Sequence, residues 1–253
     1  MLAAMSTDLE GHPSQLTMYF SHAPEIWREF PQLVAGVLIV GGVRPDVDLH
    51  SRLEPWHERA RERLSRGPES ELAEVSAWRR AYAQMGLKPT QYRSAAEALL
   101  RRFRREGTVP HLHPLVDLCN ALSLAFALPV AALDLARVDS HLLVRRATGD
   151  EAHLGFGGEL ERPDPGEVIF ADAANHAHAR RWTFRQSRHS TVSATTRDVL
   201  IVTEGLHAAA GADVSALIDA LAQSLPALGS SLRERAILTA AAPRLDFAVT
   251  RTP

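Results

Sequence analysis

Apolar positions recur along this chain with two different periods, and the change from one to the other falls near residue 130. Residues 34–40, VAGVLIV, form a continuous apolar run closed by Gly41 and Gly42. A run this short with turn residues at its end predicts a buried strand at the centre of a sheet. Charged and apolar residues then interleave over 54–66 and 69–85, with Leu72, Val75, Trp78 and Tyr82 spaced by three and four. That is the helical period, so two helices are expected, separated at Gly67 and Pro68.

After a break at Pro89 and Thr90, Ala95, Leu99 and Phe103 align along a third helix whose other faces carry Arg101, Arg102, Arg104 and Arg105, and Gly107 ends it. Pro114 suits the first turn of a fourth helix, where a missing N–H costs nothing. Leu115, Leu118, Cys119, Leu122 and Phe126 form its apolar stripe, and Pro129 stops it. Strand-like pieces follow at 141–146, 168–171, 181–185 and 199–203, with turns predicted over 155–158 and 162–166. A last helix is expected from Asp213, its N-cap, through Val214, Leu217, Ile218 and Leu221. Helices first and strands later, without regular alternation, argue for an α+β fold. We expect one main domain over 15–225, preceded by an extension over 1–14. A weakly patterned tail over 226–253 is expected to dock on the body or fray.

Composition narrows the classes of function. A hydrophobic fraction of 45% with 23% charged residues describes a globular chain and not a disordered or fibrous one. The single cysteine, Cys119, cannot form an intrachain disulfide, which fits a reducing compartment, and we expect a cytoplasmic protein. Residues 1–12 lack a basic region and their apolar run is broken at Ser6 and Asp8, so no secretory signal is expected. The longest apolar run, 33–43, is about half of the roughly 20 residues a spanning helix needs, so no membrane span is expected. A net charge of −2 gives no global field for nucleic acid. DNA is therefore not expected as a partner, and RNA contact must come from a local patch. Lys88 is the only lysine among 28 basic residues. A chain-wide deficit of this kind reflects a GC-biased genome better than phosphate binding, which explains only local clusters.

Several ordered pieces carry a family resemblance. Residues 113–134, HPLVDLCNALSLAFALPVAALD, are similar to a pattern in which N-P-V-V-D-x-x-N opens a helix and Q-P-x-H-A-F-D follows it. GEVIFADA at 166–173 and VSATTRDVLIV at 192–202 match later strand pieces in order. With the upstream pattern Trp78, Tyr82, Met85, Gly86 and Pro89, the chain resembles free-standing B3/B4 proteins, and residues 110–204 resemble the editing module of the bacterial phenylalanyl-tRNA synthetase β subunit. The resemblance implies a B3/B4-like fold with a central mixed or antiparallel sheet flanked by helices. It implies a pocket that, in the synthetase, hydrolyses tyrosine wrongly attached to tRNA. A free-standing version would be a trans-editing aminoacyl-tRNA deacylase whose partner is tRNA or aminoacyl-tRNA. The alternative is a non-catalytic module that binds RNA, an amino acid or a small metabolite. Two departures bear on this choice: Ala131 stands where the synthetase pattern has a histidine, and Thr191 stands where it has an acidic residue. Asp117 and Asn120 are retained.

An aminoacyl ester is already activated, so positioned water and hydrogen bonds to the developing oxyanion can suffice without a general base. On this reading Asn120 and Thr191 are the catalytic candidates, and Asp117, Ala131, Gly157 and Arg181 belong to the substrate pocket. Asn120 could equally be a structural amide, Asp117 could stabilise the helix start, and the glycines at 155–158 could form only a tight turn. No acidic residue occurs over 173–197, so Arg180, Arg185 and Arg188 are candidates for tRNA phosphate, joined by Arg101 and Arg105 from the third helix. Strand alternation would put Arg181 and Arg185 on one face and Trp182 with Phe184 on the other, the latter pair being core or a stacking platform. Two H-x-H pairs, His111 with His113 and His176 with His178, invite a zinc site. No HExxH, CxxC or matching acidic cluster accompanies them, so neither a metal nor another cofactor is expected. Cys119 has no basic neighbour to activate it. The substrate and the oligomeric state are not legible.

Overall fold

The computed structural model describes residues 14–251. The expected extension over 1–14 lies outside the described residues, apart from Ser14. The elements run β1 (Ser14–His22), α1 (Pro24–Glu29), β2 (Val34–Gly41), α2 (His50–Ser65), α3 (Ala73–Gln84), α4 (Ala95–Glu106), α5 (Pro114–Phe126) and β3 (Val130–Asp134). There follow β4 (His141–Arg146), β5 (His153–Leu154), β6 (Leu160–Glu161), β7 (Val168–Ala171), β8 (Ala177–Arg180), β9 (Arg185–Gln186), β10 (Asp198–Gly205), α6 (Ala210–Ser224), β11 (Ser231–Leu238) and β12 (Arg244–Arg251). The fold is α+β.

An antiparallel four-stranded sheet, ordered β11-β2-β10-β3, faces a mixed six-stranded sheet, ordered β12-β1-β4-β7-β8-β9, in which only β1 and β4 run parallel. Strand β2 is buried along almost its whole length, as its continuous apolar run requires, and so is β10. Side chains alternate across a strand, so these two strands feed two different cores. Ala35, Val37, Ile39, Leu200 and Val202 pack toward the six-stranded sheet, against Phe20, Phe170 and Trp182. Leu38, Val40, Val199 and Ile201 pack the other way, against Leu115, Leu118 and Leu122 of α5 and Val214, Leu217 and Ile218 of α6. The layers are therefore helices, sheet, sheet.

Helix ends follow local chemistry. Ser94 caps α4 by accepting from Glu97 N at 3.3 Å, and Gly107 closes it with φ 74°. His113 caps α5, its Nδ1 accepting from Leu115 N at 3.2 Å, with Pro114 in the first turn.

The structure adds to or departs from the expected elements in three stretches. Residues 181–185 are not a strand: Arg181 and Trp182 have φ of 46° and 60°, and β8 ends at Arg180. The tail after residue 225 contains β11 and β12, which pair with β2 and β1 as edge strands of the two sheets. The helix expected from residue 54 begins at His50 and carries Pro55 inside it, and the next helix starts at Ala73 after a short 3₁₀ turn over Glu69–Glu71. No helix among the described residues is long and apolar enough to cross a membrane.

Helix α6 rests directly on β2 at Gly36. A Cβ there would lie 2.6 Å from Ile218 Cγ2 and 2.8 Å from Val214 Cγ1. Gly36→Val should force the helix off the sheet and destabilise the protein by about 1–3 kcal/mol. Urea unfolding measures this, and unchanged stability would mean that α6 does not pack on β2 as described.

Candidate functional site

A cavity of about 60 Å³ opens between β3, the end of β10 and the 182–186 turn. That exceeds the ~10–15 Å³ needed to admit a water. Ala95, Val130, Ala131, Phe170, Ala179, Trp182, Phe184 and Val202 give it apolar walls, and Glu204, Arg185, Gln186 and Thr183 supply polar groups. Alternation along β10 explains the carboxylate. Leu200 and Val202 face the core between the sheets, so Glu204 points the same way and is 2% exposed.

A carboxylate in such a place needs partners. Glu204 Oε1 accepts from Trp182 Nε1 at 2.9 Å and pairs with His22 Nε2 at 2.6 Å. Oε2 has no hydrogen-bond partner among the described residues. His22 ends the buried face of β1, after Met18 and Phe20, and its Nδ1 is buried without a partner.

The left-handed turn at Arg181 and Trp182 aims the indole at Glu204. Non-glycine residues in that region carry strain unless their surroundings fix them. Trp182 N donates to Val168 O at 2.6 Å, Arg181 N donates to Glu167 Oε1 at 2.9 Å, and Tyr82 Oη donates to Arg181 O at 3.1 Å. The indole is fully buried, edge-on to Trp78 and Phe30 with ring centroids at 5.0 and 4.9 Å.

Among the sequence candidates, Ala131 lines this cavity and Arg185 sits at it. Asn120, Thr191, Asp117, Gly157 and Arg181 are not part of its lining. Asn120 is half-buried on α5. Thr191 bridges to Leu133 along the free edge of β3, and its Oγ1 donates to Ser187 O at 3.2 Å. Asp117 fastens the entry to α5, accepting from Leu112 N at 2.9 Å, with His111 at 3.5 Å. Gly157 lies in an exposed turn beside Glu159. Arg181 stacks on Tyr92, its guanidinium 4.5 Å from the ring centroid, and faces Glu167 and Asp164, each at 3.7 Å.

The expected phosphate-binding arginines divide. Arg180 is buried, forked onto Glu167 at 3.0 and 2.9 Å and bonded to Glu161 at 2.7 Å, so its donors are committed and it is no phosphate contact. Arg185 pairs with Glu161 and Glu159. The acidic partners come from 159–167, outside the acid-free stretch that made these arginines look unopposed. Arg188 is exposed and has no ion-pair partner among the described residues. Arg101 and Arg105 are exposed on α4 with Arg104, where Arg101 and Arg104 share Glu69 and Arg105 pairs with Glu106. Burial works to raise the Glu69 carboxyl, but its own backbone hydrogen bond and Arg104 hold it below the usual range.

The two H-x-H pairs are not brought together. His111 neighbours His50, whereas His176 stacks on His189 at 4.4 Å. His178 is fully buried, between Ser190 Oγ at 2.8 Å and Asp172 Oδ2 at 3.1 Å. This Ser–His–Asp order resembles a hydrolase triad, yet Ser190 is wholly buried and lines none of the clefts described above. It fastens the 188–190 turn. Burial works to raise the Asp172 carboxyl, and the adjoining His178 imidazole, with hydrogen bonds from the His176 and Asp139 backbones, more than reverses it, leaving it far below the usual range. Burial pushes the Cys119 thiol up to about 12, so it is not nucleophilic at neutral pH.

This architecture defines an α+β protein with a two-sheet core and a small apolar pocket closed by one buried carboxylate. The family model for the B3/4 domain matches residues 77–218. That is more than half of the chain, which belongs to the B3/4 domain family. No curated protein matches the sequence. Among solved structures, the chain is similar to an N-terminal fragment of the phenylalanyl-tRNA synthetase beta-subunit from Pyrococcus horikoshii. Identity is 11%, the TM-score is 0.47, and the match covers 86% of this chain and 53% of that one. The chain thus spans about half the length of that fragment.

Two outcomes test the site's description. Arg180→Ala, which strands Glu167 in the interior, should cost about 3 kcal/mol or more. A loss below about 1 kcal/mol in urea unfolding would show that the guanidinium does not fasten the turn. Native protein should resist a thiol reagent at pH 8, with Cys119 labelled only as the protein unfolds. Rapid labelling of the folded protein would contradict its burial.

Proposed function

We propose that this B3/4 domain protein is a tRNA-associated, trans-acting aminoacyl-tRNA deacylase, and that the pocket above Glu204 receives the aminoacyl group. The observation that carries the reading is a buried carboxylate with one oxygen tied to Trp182 and His22 and the other without a protein partner, at the base of an apolar pocket. The family membership supports the tRNA connection.

In this reading Glu204 Oε2 binds the α-ammonium of the aminoacyl group or orients the attacking water, while Trp182 and His22 fix the carboxylate so that little reorganisation is needed. Gln186, whose Nε2 donates to Ala132 O at 2.9 Å, holds β9 against β3 at the pocket. Water adds to the ester carbonyl, the carbonyl oxygen takes the negative charge, and the ribose oxygen leaves with a proton, giving free amino acid and tRNA. The alanines at 95, 131 and 179 set the depth of the pocket. Arg188, exposed near the mouth-lining Arg185 and Gln186 in sequence, is the cation we assign to the RNA backbone, with Arg101 and Arg105 of α4 as a second contact.

Incubation with a panel of charged tRNAs tests this. One or a few aminoacyl esters should be lost faster than in buffer, and Glu204→Gln and Trp182→Phe should slow that loss at least about tenfold. Failure to accelerate loss of any ester would eliminate the deacylase. Asn120→Ala is the comparison: it should stay near the parent rate, and a loss there with Glu204→Gln unaffected would move the chemistry to α5.

A non-catalytic binding module is the second reading, favoured by Ala131 and Thr191 at positions where the synthetase pattern has titratable groups. Thermal shifts separate its forms, because a module for RNA is stabilised by tRNA alone and one for metabolites by free amino acids.

A further inference from the structure

We propose that Glu74, His207 and Asp213 form a binding site for a divalent first-row transition metal ion, apart from the Glu204 pocket. One donor atom from each residue lies within 4.8 Å of the others, the only such group of three among the described residues. They arrive from three different elements. Glu74 is in the first turn of α3, His207 lies in the loop after β10, and Asp213 is in the first turn of α6.

Two of the three carry polar atoms that the protein leaves without partners. Glu74 is 7% exposed; Arg63 Nη2 donates to its Oε1 at 2.6 Å, and its Oε2 is buried with no hydrogen bond. His207 is 6% exposed; its Nε2 pairs with Asp213 Oδ2 at 2.7 Å, and its Nδ1 is buried with no partner. A buried acceptor with nothing to accept from costs about 1–3 kcal/mol. Both such atoms sit on residues of this one cluster, and a cation bound there is the partner we infer for them.

The donor chemistry selects the ion. One imidazole and two carboxylates, without sulfur, suit zinc, manganese, iron(II) or cobalt(II) better than magnesium or calcium, which prefer all-oxygen shells. The His207–Asp213 separation of 2.7 Å is a little under the edge between adjacent ligands of an octahedral ion, about 3.0 Å for bonds near 2.1 Å. A histidine that binds metal through one nitrogen and donates from the other to a carboxylate is also a recurrent arrangement, so either ring nitrogen serves. Charge is compatible: Arg63 offsets one carboxylate, leaving a net negative set for the ion. Asp213, with 33% of its side chain exposed, gives a route in from solvent. The competing account is a purely structural joint made of two ion pairs, Arg63 with Glu74 and His207 with Asp213.

The full chain, stripped with a chelator and dialysed, is titrated with Zn²⁺, Mn²⁺ and Co²⁺, reading bound metal by elemental analysis, Tm, and the visible absorption of Co²⁺. The expected result is about one equivalent of at least one ion, a Tm raised by several degrees, and an affinity at least about tenfold lower in both His207→Gln and Asp213→Asn. Asp213 is one-third exposed, so its variant keeps the test valid if the His207 variant does not fold. Sub-stoichiometric binding with no Tm shift for all three ions overturns the site in favour of the structural joint. So does binding that both variants leave unchanged, since the ion would then sit elsewhere, for instance at His176 and His189. None of these readouts depends on deacylase activity.

Discussion

The pairing of β2 with β10, two neighbouring strands buried on both faces, is the constraint on which the architecture depends. Their alternate side chains fill separate cores, one under α5 and α6 and one between the sheets. A residue's parity along β10 therefore decides which environment it meets. Glu204 follows Leu200 and Val202 onto the face between the sheets, so a charged group enters an apolar layer. Such a group persists only where its hydrogen bonds are supplied, and here they come from opposite directions. Trp182 reaches it from the turn after β8, and His22 from the end of β1.

The left-handed turn at Arg181 and Trp182 is the local cost of that arrangement. Regular strand geometry would have turned the indole to one side of a sheet and the arginines to the other. Instead Glu167 serves both halves of the turn, taking the Arg180 fork and the Arg181 N–H. One buried carboxylate thus organises the backbone that delivers Trp182, and a second, Glu204, receives it.

What the sequence disclosed divides along the same physical line. Elements set by local signals were legible: the apolar run of β2, the Pro114 start of α5, the Gly107 stop of α4, and the α+β class. Elements set by distant partners were not. β11 is exposed along most of its length, β12 is buried only on alternate positions, neither carries a continuous apolar run, and they exist because β2 and β1 offer them edges. The arginines at 180 and 185 looked unopposed because their acids lie 13 to 26 residues earlier in the chain. Ala131, singled out through the family pattern, lines the cavity. Glu204 and His22 were missed, although each ends a period-two series, Leu200-Val202-Glu204 and Met18-Phe20-His22, that places a polar residue on a buried face. The Glu74, His207 and Asp213 cluster has no spacing signature at all, since its members come from three separate elements.

The position of β1 inside the six-stranded sheet has a consequence for how the chain is made. Its neighbours are β4, more than a hundred residues later, and β12, whose register joins Ser14 to Arg251. During synthesis, β1 emerges among the first described segments and finds its final antiparallel partner only after residue 251 has been added. Until then a strand rich in Leu16, Met18 and Phe20 keeps at least one open edge, the kind of surface on which nascent chains pair with one another. Folding in the cell is thus a race between synthesis of β12 and association of half-made copies, and slowing translation between β4 and β12 should weigh on yield more than on the stability of the folded protein.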